Sequence, residues 1–292
     1  MATRNHRRAG KLLTCLKPQM GKEPVRFIEE LADKMVRSLG RTEPPFQTEA
    51  FEYAALAGAK VLQTNIPKYS GLMSVFDGRI IIEINRDDSL ERKNFTVCHE
   101  VGHIELRKAA KLLQPSRSHR GTFIHKESAN DGTTKTEEWL VEEFAANILM
   151  PRQFFSNKAK ALEPSLQNAR KLSEMFLASL GATLRRIVSL KVWPCVMIWG
   201  IPEKMKGENV WAVRIQEFKN ATNEVLTCPK HKYVWWAGEQ FSRSTQSESI
   251  VTDTVSIEDK LWRFEGLREW HYTPSGEREN RVMAMLLPTE RS

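Results

Sequence analysis

Long apolar runs and cysteines are both scarce in this chain of 292 residues. A helix that spans a membrane needs about 20 consecutive apolar residues. No segment approaches that length, so we expect no membrane contact. The basic N-terminus is not followed by the apolar region of a secretory signal. The four cysteines lie far apart, which is typical of reduced thiols and not of a disulfide framework. Together these features predict a cytoplasmic protein.

The charge balance is basic, with 44 Lys and Arg against 36 Asp and Glu and a formal net charge of +8. This charge permits contact with nucleic acid or with an acidic protein, but it establishes neither. Residues 1–22 contain basic side chains and no acidic one. We predict a basic flexible tail over residues 1–23, and a nucleic-acid-binding arm is the less favoured alternative.

Apolar spacing and turn residues predict an alternation of helices and strands after the tail. Asp77-Gly78 predicts the tight turn of a β-hairpin, and Asp88 with Glu91 predicts a capping box at the start of the next helix. Residues 114–136 are polar and predict a long loop. The remaining predictions are helices over 24–40, 46–57 and 137–150, and a strand over 59–66.

Beyond Pro151 the pattern is helical to residue 191, and from Val192 onward short β-prone runs are separated by Gly, Pro and Asn. The expected fold class is therefore α+β. The expected division is a tail over 1–23, a core over 24–152, a helical segment over 153–191 and a β-rich domain over 192–292.

The segment "FTVCHEVGHIEL" places two histidines four residues apart. On a helix, His99 and His103 project from one face and can bind one ion. Glu100 then lies at the rim of that face, where it can take a proton from a metal-activated water. Zinc is the expected metal, because it accepts nitrogen and carboxylate ligands in an open tetrahedral site. The alternative is a helix whose two histidines are simply hydrogen-bonded.

Gly102 lies inside the same predicted helix. A glycine there costs about 1 kcal/mol relative to alanine, which predicts that another element packs closely against it.

A third metal ligand has several candidates in "EEWLVEEFAANILMP". On a helical wheel, Glu138 and Glu142 lie together at the edge of the apolar stripe, and Glu137 points into the apolar arc. Glu143 falls on the polar side. A carboxylate at the edge of a buried stripe needs a partner. A zinc ion and a lysine or arginine both satisfy that need, so the periodicity alone does not choose between them.

"GRIIIEIN", "FTVCHEVGH" and "EWLVEEFAANILMP", in this order, resemble the ImmA/IrrE family of zinc metallopeptidases over roughly residues 50–190. The resemblance implies a zincin-like core that binds Zn²⁺ through His99, His103 and Glu138, the last lying thirteen residues before Pro151. It also implies that Glu100 is the general base.

The resemblance further implies that Glu142 is an outer partner of a zinc-bound histidine. The long basic loop over 114–136 departs from the family. An extended peptide substrate is expected to pair with the strand over 79–84.

The implied activity is that of a zinc metalloendopeptidase that cleaves a helix-turn-helix repressor or antitoxin and thereby regulates transcription, for example in a stress response. The alternative is a regulator that keeps the metal site but sequesters a repressor or binds DNA. "LSEMFLASLGATLRRI" resembles the helix-turn-helix-like segment of the family, although core packing is favoured over DNA recognition there. The β-rich domain resembles, in length only, the GAF-like domain of IrrE relatives, which implies sensing or docking.

Overall fold

The computed structural model describes residues 12–21, 23–40, 49–66, 70–76, 78–112, 132–204, 211–224, 226, 233–234, 249–257, 260–272 and 278–289. Within these ranges the protein is α+β, with eight helices and two sheets. It divides into two compact units, Met1–Phe154 with Met175–Ala178 and Phe155–Glu174 with Ser179–Ser292. The predicted four-part division of the chain stays a prediction.

The first unit opens with a helix where a flexible tail was expected. Residues 12–20 form helix α1, and Leu12 and Leu16 are buried in it. The tail prediction is therefore wrong for this stretch, because two leucines one turn apart supply a buried face that the surrounding basic residues conceal. The unit continues with α2 (Pro24–Ser38), α3 (Glu49–Leu56), β1 (Ala59–Thr64), β2 (Gly71–Phe76), β3 (Arg79–Asn85), α4 (Leu90–Ala109) and α5 (Gly132–Leu149).

A three-stranded sheet with the order β1-β3-β2 forms one layer of this unit. β3 runs parallel to β1 and antiparallel to β2. Its side chains alternate, and Ile80, Ile82 and Ile84 are buried, as the pleat of a strand requires. The predicted hairpin is confirmed as β2 and β3. Gly78 has φ +74° in the turn between them, and Asp77 lies outside the described residues.

Helix α4 follows the sheet and carries the HEVGH segment. Its N-cap is Ser89, whose Oγ accepts a hydrogen bond from the Arg92 backbone N–H at 3.3 Å. The predicted cap at Asp88 is therefore wrong by one residue. Asp88 belongs to the preceding turn, where its N–H donates to the Asn85 carbonyl at 3.3 Å. The shift removes the predicted capping box, since Glu91 now lies in the first turn of the helix.

Helix α5 packs directly on α4. It begins at Gly132, so the last five residues of the predicted loop are helical, and residues 114–131 of that loop lie outside the described residues. A Cβ at Gly102 would lie 3.0 Å from both the Val141 and the Phe144 side chains. The predicted close approach at Gly102 is thus confirmed, and α5 is the element that makes it.

The second unit contains a six-stranded antiparallel sheet with the order β6-β5-β4-β9-β8-β7. Trp262, Phe264 and Leu286 lie in its core cluster. On β8, the buried Glu265 accepts a hydrogen bond from the Leu166 backbone N–H at 2.5 Å. The elements are most of α6 (Arg152–Lys160), α7 (Leu166–Met175), α8 (Leu180–Leu190), β4 (Val196–Lys204), β5 (Trp211–Asn220), β6 (Tyr233–Val234), β7 (Ile250–Ile257), β8 (Lys260–Tyr272) and β9 (Arg278–Pro288).

The pair α7 and α8 corresponds to the helix-turn-helix-like segment. Leu177 occupies a left-handed conformation, φ +46°, between the two helices, at a place where glycine is usual. Arg186 is 3% exposed, and Arg185 pairs with Glu217 at 2.7 Å. Arg186 is thus buried and Arg185 is paired within the second unit, which favours packing over contact with a phosphate backbone.

Within the described ranges, none of the helices combines the length and apolar character that a bilayer crossing requires.

Gly71 gives a test of how β2 packs on α4. A Cβ there would lie 2.2 Å from Thr96 Cγ2, so Gly71→Ala is expected to lower the free energy of unfolding by about 1–3 kcal/mol, as overpacking does. Thr96→Ser removes that methyl group and should restore most of the loss in the double variant. Gly181→Ala is the control, because its Cβ meets only ordinary contacts. Equal stability of Gly71→Ala and the wild type in urea titrations would contradict this packing.

Candidate metal centre

His99 and His103 lie one turn apart on α4 and face the same side. Their ring centroids are 5.0 Å apart and the rings are nearly perpendicular, at 75°. The His103 side chain is fully buried, whereas the His99 side chain is 18% exposed. The two imidazoles therefore line a site that is closed on the His103 side and open to solvent on the His99 side.

Glu138 on α5 is the carboxylate that meets both rings. One of its oxygens, Oε2, lies 3.2 Å from His99 Nε2, and the other, Oε1, lies 3.6 Å from His103 Nε2. One donor atom from each of the three residues lies within 4.8 Å of the others. Among the glutamates that helical periodicity allowed as the third metal ligand, Glu138 is the one whose carboxylate lies between the two Nε2 atoms.

The donor set fits a zinc ion. Two imidazole nitrogens and one carboxylate oxygen are ligands that Zn²⁺ accepts, and about three protein ligands leave one position open in the zinc sites of enzymes. Glu138 is 29% exposed at its side chain, so the open side of the cluster faces solvent. His99, His103 and Glu138 are the residues that would hold the ion.

Glu137 lies behind His103, a role that the sequence did not predict, because there it was only one of the candidates for the third ligand. Its Oε1 lies 3.2 Å from His103 Nδ1 and accepts a hydrogen bond from Arg107 Nη2 at 3.1 Å. Burial raises the pKa of Glu137, and the nearby Arg107 charge opposes that rise. Two features of the sequence could have indicated this role. Glu137 is a carboxylate in an apolar arc, and Arg107 follows His103 by four residues, which places His103 and Arg107 on one face of their helix.

Glu100 is almost completely buried, at 3% exposure. Burial raises the pKa of its carboxyl to about 7, against the opposing charges of His99 and Arg107. A Cβ on Gly71 would lie 3.6 Å from Glu100 Oε1, which places the carboxyl beside the first residue of β2. The carboxyl therefore lies between the histidine cluster and one strand of the sheet.

Glu142 acts on His99 through its charge. Burial lowers the pKa of His99, but the hydrogen bond with Glu138 and the negative charges of Glu100, Glu138 and Glu142 outweigh burial and raise it. Glu142 is exposed, one turn after Glu138 on α5. Its predicted role as an outer partner of a metal-bound histidine stays a prediction.

Residues 54–188 match the model of a peptidase family, Peptidase_M78, which is described as the IrrE N-terminal-like domain. The match agrees with the family that the motifs resemble, and it supports a zincin-like core. A solved structure described as a Mycobacterium tuberculosis transcriptional regulator is similar, with a TM-score of 0.62 and 14% identity over 95% of this chain and 80% of that chain. At this identity the similarity is one of fold. No curated protein matches the chain.

The cluster predicts how the protein binds metal. We expect about one Zn²⁺ per chain, because the three donors form one site. His99→Ala, His103→Ala and Glu138→Gln should each abolish most of this binding, measured by elemental analysis and by competition with a chromogenic chelator. Glu143→Gln changes the same charge on the same helix outside the cluster and should bind as the wild type does. Full zinc binding by Glu138→Gln would contradict the ligand set.

Proposed function

We propose that the protein is a zinc-dependent endopeptidase. The observation that supports this most strongly is the convergence of His99, His103 and Glu138 beside a buried carboxyl, that of Glu100. When bound, Zn²⁺ acts as a Lewis acid that makes a water molecule easier to deprotonate and polarises a peptide carbonyl. Glu100 is the general base that takes the proton from the water and returns it to the departing amine.

The substrate strand expected over residues 79–84 needs correction. β3 contains these residues, and it lies in the centre of the sheet with β1 on one side and β2 on the other. Its backbone hydrogen-bonding groups are therefore already engaged, so a peptide cannot pair with it. Among the residues that the structure describes, β2 pairs with β3 alone, and β2 also lies beside Glu100.

The register of the hairpin identifies the groups on β2 that a peptide would use. The Asn85 N–H donates to the Ser70 carbonyl at 3.0 Å, so alternate pairs counted from this one are hydrogen-bonded between the strands. The N–H and C=O groups of Gly71, Met73 and Val75 then point to the open edge. An extended segment of substrate adds to this edge as a further strand, and it passes Glu100 where Gly71 leaves room.

The proposed substrate is a regulatory protein, a helix-turn-helix repressor or an antitoxin. The support is the IrrE N-terminal-like domain, its resemblance to proteins that act on such regulators, and a structural neighbour described as a transcriptional regulator. A net charge of +8 favours an acidic partner through the rate of encounter. Cleavage of a repressor in the cytoplasm would couple this enzyme to transcription, as in a stress response.

The second candidate function is that of a regulator which keeps the metal site as a structural element. It would sequester a repressor or make weak contact with DNA through the pair α7 and α8. The structural neighbour's description favours this reading, whereas the burial of Arg186 and the pairing of Arg185 disfavour the DNA contact. A sensing or docking role for residues 192–292 remains a prediction under both functions.

Glu100→Gln distinguishes the two functions. The amide keeps the shape of the side chain but accepts no proton, so we expect zinc binding to be retained and cleavage to fall by about 100-fold or more. The assay uses mass spectrometry to follow fragments of candidate helix-turn-helix regulators, with casein as a general substrate that should stay intact. Undiminished cleavage by this variant would refute the mechanism. No cleavage by either protein, with unchanged repressor control in cells, would favour sequestration.

Val75→Pro tests the open edge of β2. Proline removes an N–H that points away from β3, so the hairpin keeps its own hydrogen bonds. We expect an unchanged thermal midpoint and a raised KM for the protein substrate, because one backbone contact is lost. Val75→Thr keeps the N–H and serves as the control. Ser74→Pro, which removes an N–H bonded to β3, should instead destabilise the fold. Unchanged KM for Val75→Pro would exclude this edge as the substrate site.

A further inference from the structure

We propose that Glu137 and Arg107 are positioning residues that hold the His103 ring so that its Nε2 faces the metal. This inference rests on the proposed function for its metal. It goes further by assigning roles to two residues that touch neither the metal nor the substrate. Three contacts support it. Glu137 contacts the His103 ring, Arg107 contacts the His103 backbone, and Arg107 contacts Glu137.

The contact between Glu137 and His103 fixes which ring nitrogen is protonated. A carboxylate only accepts hydrogen bonds, so at 3.2 Å from Glu137 Oε1 the Nδ1 atom carries the proton. The lone pair of the neutral ring then lies on Nε2, which is the atom 3.6 Å from Glu138 Oε1. Neighbouring glutamates on α5 thereby contact opposite nitrogens of one imidazole, and only the Nε2 side has the metal donors.

Arg107 orients the Glu137 carboxylate, which in turn orients the His103 ring. Its Nη2 donates to Glu137 Oε1 at 3.1 Å, and its Nη1 donates to the His103 carbonyl at 3.4 Å. A guanidinium presents several N–H groups in one plane, so this arginine of α4 can bind Glu137 of α5 and the His103 carbonyl of its own helix at the same time. Glu137 has a side chain that is only 5% exposed, and the arginine supplies the opposite charge that such a buried carboxylate requires.

The burial of His103 explains why this ring needs support from protein groups. Its side chain is fully buried, so water does not reach Nδ1 to serve as the acceptor. His99 is partly exposed, and its ring lies against Phe95 with centroids 6.0 Å apart. The two metal-facing rings are thus held in different ways, and the loss of Glu137 should affect His103 selectively.

The test combines a metal-free measurement with a metal-binding one. In the metal-free protein at alkaline pH, ¹⁵N NMR of the imidazoles should show His103 with its proton on Nδ1, assigned by comparison with His103→Ala. Glu137→Ala should lose this preference, and its Zn²⁺ affinity should fall about 10- to 100-fold, the usual effect of removing an outer partner of a metal ligand. Glu137→Gln keeps an acceptor oxygen and should restore the tautomer and part of the affinity.

Two further variants complete the design. Arg107→Met should weaken Zn²⁺ binding in the same direction, since Glu137 loses the group that orients it. Glu105→Gln removes an equal charge from α4, where Glu105 pairs with Lys108 at 2.7 Å, and should bind Zn²⁺ as the wild type does. If Glu137→Ala is unstable, Glu137→Gln and Arg107→Met give the answer.

Wild-type tautomer and wild-type Zn²⁺ affinity in Glu137→Ala would overturn the proposal, as would undiminished Zn²⁺ affinity in both Glu137→Gln and Arg107→Met. A wild-type protein that binds no zinc is a different result. It would refute the proposed enzyme, while the NMR measurement on the metal-free protein would still decide whether Glu137 fixes the His103 ring.

Discussion

The close approach of α4 and α5 at Gly102 is the constraint on which the candidate site depends. His99, Glu100 and His103 belong to α4, and Glu137 and Glu138 belong to α5, so the cluster exists only because these helices touch. A Cβ at Gly102 would already meet Val141 and Phe144 at 3.0 Å. A larger residue would move the helices apart, and metal ligation tolerates shifts of only about 0.2 Å from ideal distances. In the sequence, this glycine lies between Glu100 and the buried His103.

Adjacent glutamates on α5 have opposite environments, although they differ by one position in the sequence. The Glu137 side chain is buried, contacts His103 Nδ1 and is compensated by Arg107. Glu138 is more exposed and lies between the Nε2 atoms of both histidines. Successive helical residues are about 100° apart around the axis. One therefore points between the helices and the other towards the open side of the cluster.

Local patterns predicted the elements of the site, and long-range packing decided the rest. The HEVGH helix, the hairpin and the close contact at Gly102 follow from spacing, turn residues and the cost of a helical glycine. The position of Glu138 between the histidines depends on how α5 is rotated against α4, and local patterns carry no information on that rotation. The resemblance to the family motif indicated Glu138 instead. Local patterns could not predict the edge position of β2 either, because that position follows from the parallel pairing of β1 with β3. The predicted cap at Asp88 and the predicted tail over residues 12–20 were errors of local reasoning, because the structure has a cap at Ser89 and a helix over 12–20.

The alternation of backbone groups along β2 has a consequence for how a paired peptide would be recognised. Outward-facing groups recur at Gly71, Met73 and Val75, and a peptide strand repeats its own bonding groups every second residue. Sliding such a peptide by one residue turns its side chains over, whereas sliding it by two restores the original facing. A substrate strand paired with this edge would therefore present alternate side chains to the protein, and the two residues that flank a cleaved bond would face opposite sides.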